Sequence, residues 1–419
     1  MLDERWRQIV ARHPDELAVY DAASGDSWTF ARLACEADSV RLSDAGPIST
    51  PRGRDVGFIL EVLRAWRAGL PVCPLEPGQA APDVPIPPAG IAHLKLTSGS
   101  TGMPRAIALT AGQLAADADH IVSTMGLRPD CPNLGVISLA HSYGFSNLVT
   151  PLLLHGIPLI LAPSPLPAAI TEAARNWRQL TLPAVPALWR TWRDAEAIPP
   201  NLRLAISAGA PLPLPLEEAV FARWGVKIHN FIGASECGGI AFDRSKTPRT
   251  DPTCTGTAMD GVRLAADETG QLIVSSPAVA STYWPEADER LGGGTFRSTD
   301  LVAIDPDGQL RVLGRASDLI NVAGRKVSPE TVEQALLAHP SVRDCIAFGI
   351  GDEASRGEAV AIVYALRDSV SETALRSFLA ARLPPWQVPR HWWHCDDLGV
   401  DSRGKRSRAG WRTRFAERG

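Results

Sequence analysis

The run Leu96-Thr97-Ser98-Gly99-Ser100-Thr101-Gly102-Met103-Pro104-Arg105 puts two glycines, four hydroxyls and one cation between two apolar stretches, residues 91–96 and 106–109. Glycine lets the main chain approach a ligand closely, and serine and threonine donate without crowding it. A loop of this make-up can therefore turn amides and hydroxyls toward a phosphate. It is not the mononucleotide P-loop, because no G-x-x-x-x-G-K-[ST] occurs and Arg105 follows a proline instead of opening a helix. On composition alone the alternative is a flexible Ser/Gly linker.

Other residues able to do chemistry follow at long intervals. Glu236 ends the run His229-Asn-Phe-Ile-Gly-Ala-Ser-Glu236, and a hard cation bridging phosphates takes carboxylate oxygen of this kind. Asp300 closes Thr295-Phe-Arg-Ser-Thr-Asp300, Arg315 follows Gly314, and Lys405 follows Gly404. Taken singly, Glu236 reads as a solvated or loop-capping carboxylate, Asp300 as a turn residue and Lys405 as part of a basic tail. Tyr143 and Phe145 alone read as core.

The elements that must position these groups alternate in type. Thr29 is a candidate cap for a helix opening at residue 30, and residues 56–68 form another that ends at Gly69. Thr110-Ala-Gly-Gln113 is a capping box before residues 114–125, so a helix follows the second strand of the loop directly. Apolar runs at 134–139, 152–161, 180–185 and 202–207 are strand candidates, separated by helix-like segments; such alternation argues for layered α/β architecture. Residues 270–279 and 301–313 change to short strands with turns at Asp267-Glu-Thr-Gly and Asp305-Pro-Asp-Gly, a β-rich subdomain. Ser328-Pro329-Glu330 starts a helix with cap, first-turn proline and acid in their preferred places. Strand-like 345–350 and 360–366 and a helix over 371–383 complete a small α+β unit.

Composition excludes several classes. The chain has 419 residues, a formal net charge of −4 and a pI near 6.2, so it offers nucleic acid no general attraction. Seven cysteines are scattered without a C-x-x-C pair, favouring reduced thiols over a disulfide frame or zinc site. The charged start Met1-Leu-Asp-Glu-Arg-Trp6 is no signal peptide, and no apolar run approaches a membrane span. The expectation is a cytoplasmic protein with no membrane insertion.

TSGSTGMPR resembles the phosphate-binding loop of the adenylate-forming superfamily, which includes acyl- and aryl-CoA synthetases, peptide-synthetase adenylation domains and luciferase. The resemblance recurs in order from about Trp28 to Lys405. Leu70-Pro-Val-Cys-Pro-Leu-Glu-Pro77 resembles the family's AGxxxVPLdP segment, while the Pro-rich connector 77–90 is much shorter than in familiar members. The resemblance implies a large layered N-terminal domain, residues 1–316 and shortened before residue 91, and a small mobile α+β C-terminal domain, residues 317–419.

Carried over residue by residue, the resemblance implies ATP and Mg²⁺ as cofactors. Thr97, Ser98, Gly99, Ser100, Thr101 and Gly102 would cradle phosphate together with Arg105, where the family usually has lysine. Ile232, Gly233, Ala234 and Ser235 form the second signature, with Ser235 at the α-phosphate, Glu236 holding the metal, and Gly209-Ala210-Pro211 lining adenine. Ile232 replaces the usual aromatic. Asp300 would accept from the ribose hydroxyls with Arg315 beside it, and Thr299 stands where the family has glycine. Ser317 falls at the hinge, normally Asp or Lys, and Lys405 would be the catalytic lysine. His141, Tyr143, Phe145 and Gly233 would face a carboxylic acid, and HSYGFSNLVTP looks most like benzoate-type CoA ligases. No acid lies within that segment to pair an α-amino group. The implied reaction is activation of a carboxylic acid, aromatic by this reading, to acyl-AMP, then thioester formation with CoA or an acyl carrier protein. The other readings are a medium-chain fatty-acid ligase and a non-catalytic nucleotide-binding protein on the same fold.

Overall fold

Local capping sets where the helices begin. In the computed structural model, which describes residues 1–40, 46–97, 105–352, 357–399 and 407–418, Thr29 accepts from Arg32 N at the start of Phe30–Ser39. Asp55 accepts from Phe58 N at the start of Val56–Ala68, which stops at left-handed Gly69. Both hydrogen bonds of the capping box at Thr110 and Gln113 form, and they open Ala111–Met125.

These helices pack on a sheet of fourteen strands. Its centre is parallel: Leu17–Asp21, Leu159–Leu161, Asn133–Gly135, Leu180–Ala184, Leu202–Ser207 and Ile228–Ala234 are neighbours in that order. Parallel pairing requires crossovers, and helices on both faces leave the strands buried throughout, as Leu180–Ala184 is. Beyond Ile228–Ala234 the sheet turns antiparallel through Gly238–Phe242, Cys254–Ala258, Gln309–Arg315, Thr295–Ile304, Gln271–Ser275 and Arg263–Ala266. This is the β-rich part expected from its turns: Asp267 Oδ1 accepts from Thr269 N, and Gly308 N donates to Asp305 O.

Two strand expectations need correction. Of residues 134–139 only Leu134 and Gly135 are strand, the end of Asn133–Gly135, because Ser138 Oγ donates to Glu76 Oε1 and accepts from Ala140 N, turning the chain toward residue 142. The run 152–161 is helix Thr150–His155 followed by strand Leu159–Leu161. Gly156, at φ 69°, ends the helix and its N–H returns to Leu152 O.

A separate three-stranded sheet, Ile91–Thr97, Arg105–Thr110 and Thr282–Trp284, carries the Ser/Gly loop. After Gln309–Arg315 come a hairpin, Ile320–Val322 with Arg325–Val327, and a sheet of Val342–Asp352, Gly357–Leu366 and His391–His394. Helices Pro329–Leu337, Glu372–Ala380 and Arg408–Arg418 accompany them. The α+β texture expected after residue 316 is present, with its own apolar core around Val327, Val332, Leu336, Ile362 and Leu375.

Candidate active site

Thr97 pairs with Arg105 at the open end of a hairpin, so residues 98–104 connect two strands locked in register. Ser98, Gly99, Ser100, Thr101 and Gly102 lie outside the described residues. Arg105 is engaged. Its Nη2 donates to Glu286 O at 3.1 Å, its Nη1 lies 3.5 Å from Asp288 Oδ2, and its guanidinium carbon sits 4.1 Å above the Tyr283 ring. Asp288 is gripped by Arg290 at 2.7 Å, and that bond, with Arg105 adding, holds its carboxyl well below the usual range.

Tyr283 joins this group to the second signature. Its hydroxyl donates to Glu236 Oε1 at 3.0 Å, and burial with the Glu236 charge pushes the phenol well up. Glu236 and Ser235 sit in the turn between Ile228–Ala234 and Gly238–Phe242, closed by Cys237 N donating to Ala234 O. A side chain at Gly233 would meet Gly238 O at 2.8 Å, so glycine lets the two strands close. Ser235 Oγ lies 2.8 Å from Ser142 Oγ, tying the signature to the segment that starts at His141. Arg105, Glu236, Ser235 and the 141–147 segment are thereby brought together. Gly209, at φ 86°, Ala210 and Pro211 follow strand Leu202–Ser207, with Gly209 and Pro211 exposed. Ile232 and Ala234 are half-buried and Gly233 is exposed beside them.

The 141–149 segment bends by an uncommon route, a short helix Ser142–Gly144 running into a π-helical turn, Phe145–Val149. Such turns occur at functional sites. His141 Nδ1 accepts from Tyr143 N. A Cβ on Gly144 would lie 1.9 Å from Ser138 O, so only glycine fits. Tyr143 is half-buried, with its ring 6.0 Å from Phe231 and its hydroxyl 3.4 Å from Ala184 O. Phe145, expected to face the acid, is instead wholly buried, 4.4 Å from the His93 ring and 6.4 Å from Phe58. Its aromatic ring belongs to the core behind the segment.

Asp300 and Arg315 are cross-strand partners. Arg315 Nε donates to Asp300 Oδ1 at 3.1 Å and Ser298 Oγ donates to Oδ2 at 2.7 Å, which orients the carboxylate. The Arg315 side chain remains 59% exposed, so its other nitrogens are open to a ligand. Thr299 needs no glycine backbone, since it lies within strand Thr295–Ile304 and is not among the residues with positive φ. Ser317 lies in the 3₁₀ turn Ala316–Asp318 and donates to Asp318 Oδ1 at 3.0 Å. Lys405 lies outside the described residues.

Glu236 fits a magnesium site in which phosphate oxygens supply most ligands. One of its oxygens is fixed by Tyr283, and among the described residues no group of three or more His, Cys, Asp or Glu could cage a metal alone. Tyr283, Asp288, Ser142 and Ser298 escaped the sequence reading. Tyr283 reaches the site by pairing with Ile107 on the loop's own sheet, a long-range contact without a local spacing signal.

Residues 52–284 match the AMP-binding enzyme family, and residues 331–405 match the AMP-binding enzyme C-terminal domain. The chain belongs to the AMP-binding enzyme family. It is an adenylate-forming, AMP-forming ligase, and its nucleotide is ATP or AMP. It is 29% identical over 358 residues to a feruloyl-CoA synthase of Amycolatopsis sp, covering 80% of this chain and 72% of that protein. It is 28% identical over 342 residues to a 4-hydroxybenzoate–CoA/benzoate–CoA ligase of Rhodopseudomonas palustris, covering 76% and 63%. The chain thus spans about two thirds of the length of these relatives. The fold is similar to that of ATP-bound MatB from Rhodopseudomonas palustris, with a TM-score of 0.87 at 20% identity and 99% of both chains covered. Among the described residues no helix is long and apolar enough to cross a membrane.

Proposed function

We propose that this AMP-binding enzyme converts an aromatic carboxylic acid to its acyl-AMP and then to a thioester, with CoA or a carrier-protein phosphopantetheine as acceptor. The observation that carries the reading is the chain of contacts from Arg105 through Tyr283 to Glu236, with Ser235 bonded onward to Ser142. It sets a phosphate-facing cation, a hard carboxylate and the acid-facing segment side by side. Support for an aryl acid comes from the HSYGFSN run and from relatives named for aryl acids.

In this reading the phosphate loop and Arg105 hold the triphosphate, and Ser235 donates toward the α-phosphate. Asp300, aimed by Ser298 and Arg315, accepts from the ribose hydroxyls. Gly209, Ala210, Pro211 and Ile232 flank the adenine. Mg²⁺, held by Glu236 and phosphate oxygens, would supply positive charge against the pyrophosphate that departs. His141, Tyr143 and Gly233 bound the acid so that its carboxylate oxygen can reach the α-phosphorus. Lys405 neutralises charge between those two atoms, and the rate comes from positioning and charge complementarity. The unit after residue 316 then turns about Ser317, withdraws Lys405 and admits the thiol. Seven free cysteines fit a reducing, cytoplasmic setting.

Pyrophosphate exchange into ATP across benzoates, octanoate and amino acids, followed by thioester assays with CoA and carrier protein, tests this. Benzoates should support exchange above octanoate, with amino acids at background. Exchange led by octanoate would move the assignment to fatty acids, and ATP binding without exchange on any acid would leave a nucleotide-binding protein.

A further inference from the structure

We propose that Arg190 is a positioning residue for the C-terminal unit: paired with Asp344, it holds the unit at the angle seen in this structure, and that angle serves one half-reaction over the other. The proposal rests on the ligase reading above, in which the unit turns about Ser317, and adds what sets the angle.

Arg190 lies on helix Pro186–Asp194 of the large domain, and Asp344 on strand Val342–Asp352 of the C-terminal unit. Arg190 Nη1 is 3.6 Å from Asp344 Oδ2, with the two side chains only 22% and 11% exposed. The carboxylate is aimed from its own side, because Asp344 Oδ1 accepts from Cys345 N at 3.0 Å. Neighbouring charges are engaged elsewhere: Arg193 pairs with Asp194, and Arg343 donates to Asp396 O. An ion pair shielded by an interface is stronger and less screened than a free surface pair, and it is lost when the interface opens.

The arginine is fixed in the frame of the proposed binding residues. Trp189 Nε1 donates to Ile206 O at 3.1 Å and Trp192 Nε1 to Pro165 O at 2.8 Å, which pins the helix at two points. Ile206 lies three residues before Gly209, and Ala184, two residues before the helix, has its carbonyl oxygen 3.4 Å from the Tyr143 hydroxyl. The helix therefore cannot shift without disturbing the strands that lead to the residues proposed to meet adenine and acid.

Asp344 stands well away from the pivot along a single strand. A Cβ on Gly349 would lie 3.0 Å from Ile320 Cγ2, so Gly349 marks where this strand passes the chain just after Ser317. Asp344 is five residues back along the strand, about 17 Å at the usual rise per residue. Beside the pivot itself, Gly314 lets the unit close, since a Cβ there would run into Ser328 Oγ. Contacts beside a pivot locate the axis and leave the angle open, whereas one held at a distance fixes it. Between the two points Arg408 Nε donates to Ala347 O at 3.2 Å, so the helix that follows Lys405 is borne by the same strand.

The test runs the half-reactions separately: acyl-AMP formation from MgATP with the best acid among benzoates and octanoate, then thioester formation from that acyl-AMP with CoA or holo carrier protein. In Arg190→Gln and in Asp344→Asn the ratio of the two rates should move in the same direction by roughly fivefold, the upper range for an ion pair that solvent partly reaches. The half-reaction that loses more is the one this angle serves. The charge swap, Arg190→Asp with Asp344→Arg, should return the ratio toward wild type, which a merely structural arginine would not do. Rates that fall by one common factor, unchanged rates, or a swap that only adds the two losses overturn the proposal. Should Asp344→Asn not fold, as checked by ATP-induced thermal shift, the ratio in Arg190→Gln decides alone. Wild type forming acyl-AMP with none of the acids brings down the ligase reading itself, an outcome distinct from an unmoved ratio in an active enzyme.

Discussion

Two clusters of charged side chains differ in their balance. Beneath the loop proposed to flank adenine, Lys227 bonds Glu217, Asp243 at 2.6 Å and Ile228 O, while Arg249 bonds Glu217 at 2.9 Å, Cys254 O and Leu212 O. Two cations meet two carboxylates, all four residues are buried, and the Leu212 bond anchors the loop just after Gly209–Ala210–Pro211. In the C-terminal unit, among the described residues, one cation serves three carboxylates. Arg408 reaches Asp318 at 2.8 Å, Glu330 at 2.8 Å and Glu333 at 2.9 Å. Arg408 lies three residues beyond Lys405, and Asp318 follows Ser317. The balanced cluster anchors the loop at Leu212 as a fixed scaffold. The anionic one ties the start of helix Arg408–Arg418 to the proposed hinge and can take up a proton.

Breaking the balanced cluster should cost most. Lys227→Met leaves Glu217 and Asp243 buried with one cation fewer, and removal of one partner from a buried pair costs about 3–5 kcal/mol. Urea unfolding should show that loss at pH 6 and pH 8 alike. A loss under 1 kcal/mol would mean the cluster relaxes into solvent and is no scaffold.

The anionic cluster should announce itself through pH. Burial pushes the Glu333 carboxyl up from 4.5 to about 7, against the pull of Arg408, with Glu330 raising it further. Asp318 faces Arg408 from the 3₁₀ turn, and the Cys345 thiol donates to Glu333 O from the neighbouring strand. Because the folded value lies above the unfolded one, the contribution is complete below pH 4.5 and is lost as pH rises through 7. The shift corresponds to roughly 3 kcal/mol at most, less for the 16% of the side chain that solvent reaches. Stability measured at pH 5 and pH 8 should therefore fall less for Glu333→Gln than for wild type, by about 2 kcal/mol; parallel curves would show that Glu333 stays ionised throughout.

What the sequence made legible was local. The capping box at Thr110 and Gln113, and the stop at Gly69, involve neighbours three or four residues apart, and both formed as expected. Asp300 with Arg315 was legible through the resemblance, and the cross-strand pairing accounts for it. Residues 136–139 misled because an apolar run serves a buried turn as well as a strand; the bond from Ser138 to Glu76, which decides between them, is remote in sequence. Phe145 misled because one face of a helical segment fronts the site while the other fills the core. Neither charge cluster was visible, since each joins residues from separate elements.

A neutral link at the site sharpens the contrast. Tyr283→Phe removes the hydrogen bond to Glu236 Oε1 and keeps the ring beneath Arg105, so no charge balance changes. A hydrogen bond to a partly solvated carboxylate contributes about 0.5–1.5 kcal/mol net, which translates to roughly two- to tenfold in an apparent constant. If Glu236 holds the metal that accompanies ATP, the freed carboxylate should raise the Mg²⁺ concentration needed for half-maximal pyrophosphate exchange by that factor. The acid preference should be untouched, because Tyr283 contacts Arg105 and Glu236, the residues proposed to face phosphate and metal. The effect should also be the same at pH 6.5 and pH 8, since burial and the Glu236 charge push the phenol far above both. A changed acid preference with an unchanged Mg²⁺ requirement would place Tyr283 and Glu236 in the acid wall and remove the metal from this carboxylate.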